Sequence, residues 1–192
     1  MLRRIAALLV LAAGAVLAPA GAGAAPPACE GWLTPAFHAQ ATPGRVTACL
    51  EAGADPRARR DTGETPLHLA AAAARDPGVV EALLAGGADP TLTTKAGRTA
   101  LHHAAAEGRA PAVVPLLVLA GAEIDRRFDR AEGWFGTRGT TALHLAAARE
   151  DGAPMAAALL AVRADPDARD SAGRTPLHRA VRGARHSRVI EL

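Results

Sequence analysis

Histidine is the residue type in this chain whose recurrence suggests chemistry. The same short sequence motif contains a histidine each time it recurs, at His68, His102, His144 and His178, and His103 places a second imidazole beside His102. Imidazole is a frequent zinc ligand and titrates near neutral pH, so it also serves as a general acid or base. The chain has no H-E-x-x-H, no C-x-x-C and no glycine-rich phosphate loop. These patterns predict no catalytic residue, no bound metal and no cofactor.

His103 is the histidine outside the recurring wording. Its position is taken by Leu69, Leu145 and Arg179 in the other copies of the motif. A position that accepts such different residues is interpreted as variable, and His103 is therefore expected on the surface. The alternative is an enzyme or metal-dependent accessory protein that uses His102, His103 and the long loop described below.

The first 24 residues are typical of a secretory signal peptide. The segment has two arginines near its start, an apolar run over residues 5–18 and an A-x-A cleavage site that ends at Ala24. The apolar run is shorter than the about 20 residues of a membrane span. We expect cleavage after Ala24, followed by a single domain of residues 25–192 in the bacterial periplasm or outside the cell, with no membrane attachment. An uncleaved anchor is the alternative.

Cys29 and Cys49 are the two cysteines of the chain. In an exported protein, an even number of cysteines predicts disulfide bonding. We therefore expect a Cys29–Cys49 bridge, which in the loop-entropy model closes about 20 residues and stabilises by roughly 3 kcal/mol. Two free buried thiols are the alternative.

A six-residue motif organises the rest of the chain. TPLHLA begins at Thr65, and its variants begin at Thr99, Thr141 and Thr175, at spacings of 34, 42 and 34 residues. Threonine caps a helix start well, and proline suits the first helical position because its missing N–H costs nothing there. Self-similarity at this period predicts a solenoid of stacked repeats.

The sequence of the motif and the repeat period resemble those of the ankyrin-repeat family. The resemblance implies an all-α solenoid of helix-turn-helix units with projecting β-hairpin fingers, which are the loops between repeats. It also implies that each motif histidine links the motif threonine to neighbouring loop backbone, at Thr65, His68, Thr99, His102, Thr141, His144, Thr175 and His178. About five repeats are expected, the first an atypical cap and the last incomplete, at approximately 30–56, 57–90, 91–124, 125–166 and 167–192.

One finger is enlarged. From Gly121 to Thr141 the chain advances 20 residues, against 12 in the corresponding segments of the other three repeats. This finger contains Phe128, Trp134 and Phe135, three of the five aromatic residues of the chain, interleaved with four arginines. Tryptophan and arginine are enriched at interface hot spots. Trp134 and Phe135 are therefore predicted to anchor a partner, the alternative being that Trp134 folds back beneath its own loop.

The variable finger positions are rich in cations. They favour a partner protein with acidic groups, because finger tips and the concave helix face form the partner surface in the family that the chain resembles. Removal of residues 1–24 lowers the net charge from +3 to +1, so nucleic-acid binding is not expected. The candidate partner-binding residues are Trp134, Phe135, Arg126, Arg127, Arg130, Arg138, Arg59, Arg60, Lys95 and Arg169.

These observations predict a non-enzymatic, exported protein-protein interaction module. The identity of its partner and its oligomeric state stay open. The main alternative is a secreted effector that acts on proteins of another cell.

Overall fold

The computed structural model describes residues 29–128 and 138–184, in which the chain forms nine short helices. They are α1 (Pro35–Gln40), α2 (Pro43–Glu51), α3 (Pro66–Ala73), α4 (Gly78–Ala85), α5 (Ala100–Glu107), α6 (Val113–Leu119), α7 (Ala142–Ala147), α8 (Ala153–Ala161) and α9 (Pro176–Ala184). The odd-numbered helices α1 to α9 pack in succession to form one layer, and the even-numbered helices α2 to α8 pack in succession to form a second. The described residues contain no strand, and none of their helices is long and apolar enough to cross a membrane. The predicted all-α solenoid is confirmed.

The first helix of each repeat begins within the six-residue motif. Thr65 is extended and Pro66 opens α3, as the motif predicts. Leu67 and Leu101 are fully buried in the core that runs through the stack. The aligned Leu177 is 71% exposed, because the described part of the chain holds no second helix against α9.

The motif histidine completes the helix start. In the second repeat, the Thr65 N–H donates to Nδ1 of His68 at 3.2 Å, and the Thr65 hydroxyl lies 2.8 Å from the same nitrogen. A ring nitrogen that accepts a backbone N–H carries no proton, so Nε2 of His68 is protonated and donates to the Arg98 carbonyl at 3.1 Å. The imidazole therefore joins its own helix to the finger of the next repeat.

Similar bonds recur along the stack, but the acceptor in the following finger differs. Arg174 aligns with Arg98, whereas Arg126 lies on the opposite arm of its finger, before the stem residue Phe128. His102 Nε2 donates to the Arg126 carbonyl and His144 Nε2 to the Arg174 carbonyl, each at 2.9 Å. Desolvation by burial lowers the pKa of His102 to about 4 and also lowers the pKa of His144. Both rings are therefore neutral at neutral pH, the state in which Nδ1 is free to accept.

His103 is buried, and the prediction of a surface residue is wrong. Its side chain packs edge-on against His68 with ring centroids 5.3 Å apart, and it is 5% exposed. Leu69 and Leu145 at the aligned positions are buried as well, so this side of the first helix faces protein in every case. Burial lowers the pKa of His103 to about 3. The neutral ring therefore makes no ion pair with the Glu64 carboxylate, although the two groups lie 4.0 Å apart.

The cap is held by a covalent bond and by backbone contacts. Cys29 and Cys49 form the predicted disulfide, with their Cα atoms 5.6 Å apart. Trp32 packs edge-on against Phe37, and its indole N–H donates to the Asp55 carbonyl at 3.0 Å. These bonds tie the beginning of the first repeat to its end.

The fingers are short hydrogen-bonded hairpins. In the second repeat, Arg60 N donates to the Glu64 carbonyl at 2.9 Å and Gly63 N to the Arg60 carbonyl at 2.8 Å, and the third and fifth repeats have the same two bonds. Gly63 has φ +83°, and a Cβ there would lie 2.9 Å from Lys95 N. Lys95 N donates to the Thr62 carbonyl at 3.0 Å, so neighbouring fingers are bonded edge to edge.

Loss of the disulfide should destabilise the protein. We expect the Cys29→Ala, Cys49→Ala double variant to unfold with a free energy about 3 kcal/mol lower than wild type, because the unfolded chain regains the freedom of a closed loop of about 20 residues. Urea unfolding followed by circular dichroism measures the difference. Reductant should destabilise wild type and leave the double variant unchanged. Equal stability of the two oxidised proteins would contradict the prediction.

Replacement of His103 by leucine should make the protein less sensitive to acid. The folded pKa of about 3 lies below the ordinary histidine value of 6.5, so the unfolded state binds more protons between these two pH values and stability falls as the pH falls through this range. His103→Leu removes that penalty, and its advantage over wild type should grow by about 2 kcal/mol between about pH 7 and about pH 5. Urea unfolding at both pH values measures it. Parallel pH profiles for the two proteins would refute the assignment.

Candidate partner-binding surface

Two predicted partner-binding arginines are paired with carboxylates three or four residues away in the sequence. Arg60 Nη1 lies 2.7 Å from Glu64 Oε2, and Arg126 Nη1 lies 3.3 Å from Glu123 Oε1. Arg126 also stands at the base of its finger, since its carbonyl accepts from His102. Such ion pairs at the surface contribute roughly 0–1 kcal/mol of stability. Their larger effect is that these two guanidinium groups add little net positive charge to the finger surface.

Arg59 and Arg169 are bonded to backbone carbonyls. Arg59 Nη1 donates to the Gly63 carbonyl at 3.3 Å and to the Thr93 carbonyl of the next finger at 2.9 Å. Arg169 Nη1 donates to the Gly173 carbonyl at 3.2 Å. A guanidinium has five N–H donors, and a carbonyl carries no formal charge. Both exposed side chains are therefore held in place with their positive charge retained.

Lys95, Arg127 and Arg138 are also exposed. The backbone at two of these positions is fixed by neighbouring fingers, since Lys95 N donates to the Thr62 carbonyl and Ser171 N donates to the Arg138 carbonyl at 2.9 Å. The structure thus places Lys95 and Arg138 on finger backbone that is bonded to the adjacent repeat.

The eight extra residues of the enlarged finger fall, in the sequence, between the hydrogen-bonded residues of its stem, and we call residues 129–138 the tip. Phe128 N donates to the Thr140 carbonyl at 3.2 Å, and Gly139 N donates to the Phe128 carbonyl at 2.9 Å. The third repeat closes its finger with the equivalent pair of bonds between Thr94 and Arg98. Three residues separate that pair, whereas 11 residues separate Phe128 from Thr140. The stem, formed by Phe128, Gly139 and Thr140, is therefore the ordinary one, and the insertion falls between these stem residues in the sequence.

The aromatic residues of the enlarged finger divide into two groups. Phe128 is buried, edge-on to His102 with ring centroids 5.1 Å apart, and the Arg98 guanidinium lies 5.5 Å from its ring centroid. Trp134 and Phe135, with Arg130, belong to the tip and lie outside the described residues, so their role stays a prediction. Alignment of Phe128 with Thr94 at the stem is the sequence signal that separates it from the tip.

A buried ionic cluster supports the fifth finger, and sequence reasoning missed it. Arg179 Nη2 donates to Asp170 Oδ2 at 2.8 Å and to Thr140 Oγ1 at 3.2 Å, and Arg174 Nε donates to Asp170 Oδ2 at 3.0 Å. The Asp170 side chain is fully buried, so both arginines serve to compensate its charge. The cluster ties the stem of the enlarged finger to the fifth repeat. The sequence signal that could have revealed this cluster is Arg179, which stands at the position that aligns with Leu145.

The described residues offer no arrangement suited to metal binding. They contain no group of three or more His, Cys, Asp or Glu side chains placed to hold an ion. The two ring nitrogens of His102 bond to Thr99 and to the Arg126 carbonyl, so neither nitrogen is available as a ligand. His103 packs against His68 in the neighbouring repeat. The alternative of a metal-dependent protein thus gains no support from this region.

Comparison with known families agrees with the architecture. A family model described as ankyrin repeats (3 copies) matches residues 37–128 and 113–192, which together span most of the chain. No curated protein matches the sequence. Ankyrin repeats are generally modules of protein-protein interaction, and they are generally not enzymes. The stacked helix pairs and this match together establish that the chain belongs to the ankyrin-repeat family.

Proposed function

We propose that this protein is an exported, non-enzymatic module that binds a partner protein through its finger tips and the concave face of its first helices. The observation that carries the proposal is the enlarged finger. Its stem keeps the bonds of an ordinary finger, at Phe128 and Thr140, while eight residues are added at the tip. Residues beyond the stem are not needed for the bonds that close the finger, so a role at the surface is the economical explanation.

Export is supported by two independent features. Residues 1–24 have the pattern of a signal peptide, and the Cys29–Cys49 disulfide is a bond that persists in oxidising compartments. The periplasm is the proposed location. A secreted effector that acts on proteins of another cell would use the same surface, so its distinction from a periplasmic module rests on where the protein is found.

Removal of the two aromatic side chains at the finger tip should weaken partner binding. A Trp134→Ala, Phe135→Ala double variant should bind its partner from a periplasmic extract at least about 30-fold more weakly than wild type, since truncation of a hot-spot side chain costs roughly 2 kcal/mol or more. Affinity capture with quantitative mass spectrometry identifies the partner, and titration of the purified partner measures the loss.

Leu119→Ala is the matched control. Leu119 is a large apolar side chain, 85% exposed, on the second-helix layer. Its truncation removes exposed apolar surface away from the fingers and should leave binding unchanged. If the double variant recovers every partner as well as wild type does, the enlarged finger has no part in binding.

Cell fractionation should find a processed protein in the periplasm. When the full chain is expressed in a bacterial host with a periplasm, we expect osmotic shock to release a protein whose intact mass corresponds to residues 25–192. Recovery mainly from the culture medium would favour the secreted effector. An unprocessed chain in the membrane fraction would establish the uncleaved anchor and refute the proposed location.

A further inference from the structure

Three exposed arginines occupy the same position in three different fingers. Arg59 and Arg169 each stand six residues before the motif threonine of their repeat. Arg127 immediately precedes the stem residue Phe128, which aligns with Thr94, so it holds the same position in the enlarged finger. We call Arg59, Arg127 and Arg169 the arginine row.

In the part of the chain that the structure describes, no ion pair joins an arginine of the row to a carboxylate, and two acids of these fingers are paired with other arginines. Glu64 accepts from Arg60, and Asp170 accepts from Arg174 and Arg179. Asp125, two residues before Arg127, accepts from the backbone N–H of Asp165 at 3.0 Å. Asp125 keeps its charge, because its donor is neutral, and the pKa of the Asp89 carboxyl is lowered by its hydrogen bonds from Thr91 and also by the charges of Arg57 and Arg59. Among the described residues, the row is therefore exposed and free of ion pairs, although these carboxylates contribute some negative potential near it.

The side chains of two members of the row, Arg59 and Arg169, are also positioned in advance, and the backbone of the third is fixed. Arg59 bridges the carbonyls of Gly63 and Thr93, and Arg169 is bonded to the Gly173 carbonyl. Arg127 precedes the bridge between Phe128 and Thr140. Long side chains that are already ordered lose less conformational entropy on binding. Ordered guanidinium groups of this kind suit carboxylates, which they bind in a planar, charge-assisted geometry.

We propose that the arginine row binds an extended acidic segment of the partner protein. Packed helices lie about 8–10 Å apart, so the row has one interval of about 10 Å, from Arg169 to Arg127, and one of about 20 Å, from Arg127 to Arg59. An extended peptide advances about 3.3 Å per residue. The segment recognised therefore carries acidic side chains separated by about three and about six residues. This inference rests on the proposed function and names the chemistry of its partner.

Synthetic peptides test the spacing directly. Fluorescein-labelled peptides of about 14 residues, built from Gly, Ser and Thr, carry three glutamates at separations of three and six residues in both orders, to allow for either chain direction. A control peptide of the same composition carries its three glutamates side by side. Fluorescence anisotropy with the purified full-length protein should show tighter binding of one spaced peptide than of the control. Equal affinities, or no binding of any peptide at low salt, would overturn the proposal.

Substitutions separate the row from general charge. Arg127→Gln and Arg169→Gln should each weaken binding of the spaced peptide by about ten-fold, the scale of a hydrogen bond between charged groups. Arg60→Gln is the matched control, because it removes the same charge from an arginine that is paired with Glu64, and it should change the affinity less than two-fold. A loss of affinity with Arg60→Gln as large as with Arg127→Gln would show that the peptide responds to net charge alone and would overturn the proposal.

Partner capture tells failure of the row from failure of the proposed function. If a captured partner binds the row variants as tightly as wild type, the interaction module stands and the row is refuted. If wild type captures no partner in any fraction, the proposed function itself fails.

Discussion

The stack depends on a neutral imidazole that reaches from one repeat to the next. In His68, Nδ1 accepts the N–H of Thr65 while Nε2 donates to a carbonyl of the following finger. Each ring satisfies a backbone donor at a helix start and a backbone acceptor in a loop, two groups that are costly to bury unpaired. Repeats that contact their immediate neighbours need such links, because no distant contact holds them together. Protonation of the ring would break the first of these bonds, and burial is what prevents it.

This link constrains where the chain can vary. His102 needs a carbonyl at the base of the following finger, and Arg126 supplies it. An insertion before Arg126 would displace that carbonyl, whereas an insertion after Phe128 leaves both the link and the hairpin bonds with Thr140 in place. The extra residues accordingly begin beyond the stem. The packing rule therefore accounts for the placement of the enlarged loop, and it explains why an altered finger coexists with an unaltered stack.

Sequence reasoning succeeded where one residue type has one physical role. Threonine, proline and leucine in the motif predict a capped helix with one buried face, and α3, α5, α7 and α9 each begin directly after the motif threonine. It failed for His103, because variation at an aligned position was taken to mean exposure, although a polar residue there is buried against His68 in the adjacent repeat. It also missed the Asp170–Arg179 pair. Both errors concern contacts between separate repeats or elements, which the local pattern does not encode.

The candidate surface shows the same limit in its charges. In the sequence, Arg59, Arg60 and Arg126 are equivalent candidates. In the structure, Arg60 and Arg126 are each paired with a carboxylate, whereas Arg59 is bonded to carbonyls. The positive charge that a partner contacts therefore depends on which carboxylates are already paired within the fold. Arginines that are already ion-paired within the fold add little to affinity. Arginines bonded to neutral carbonyls keep their charge available to attract an acidic partner. The stack thus determines the binding surface by ordering some cations and cancelling others.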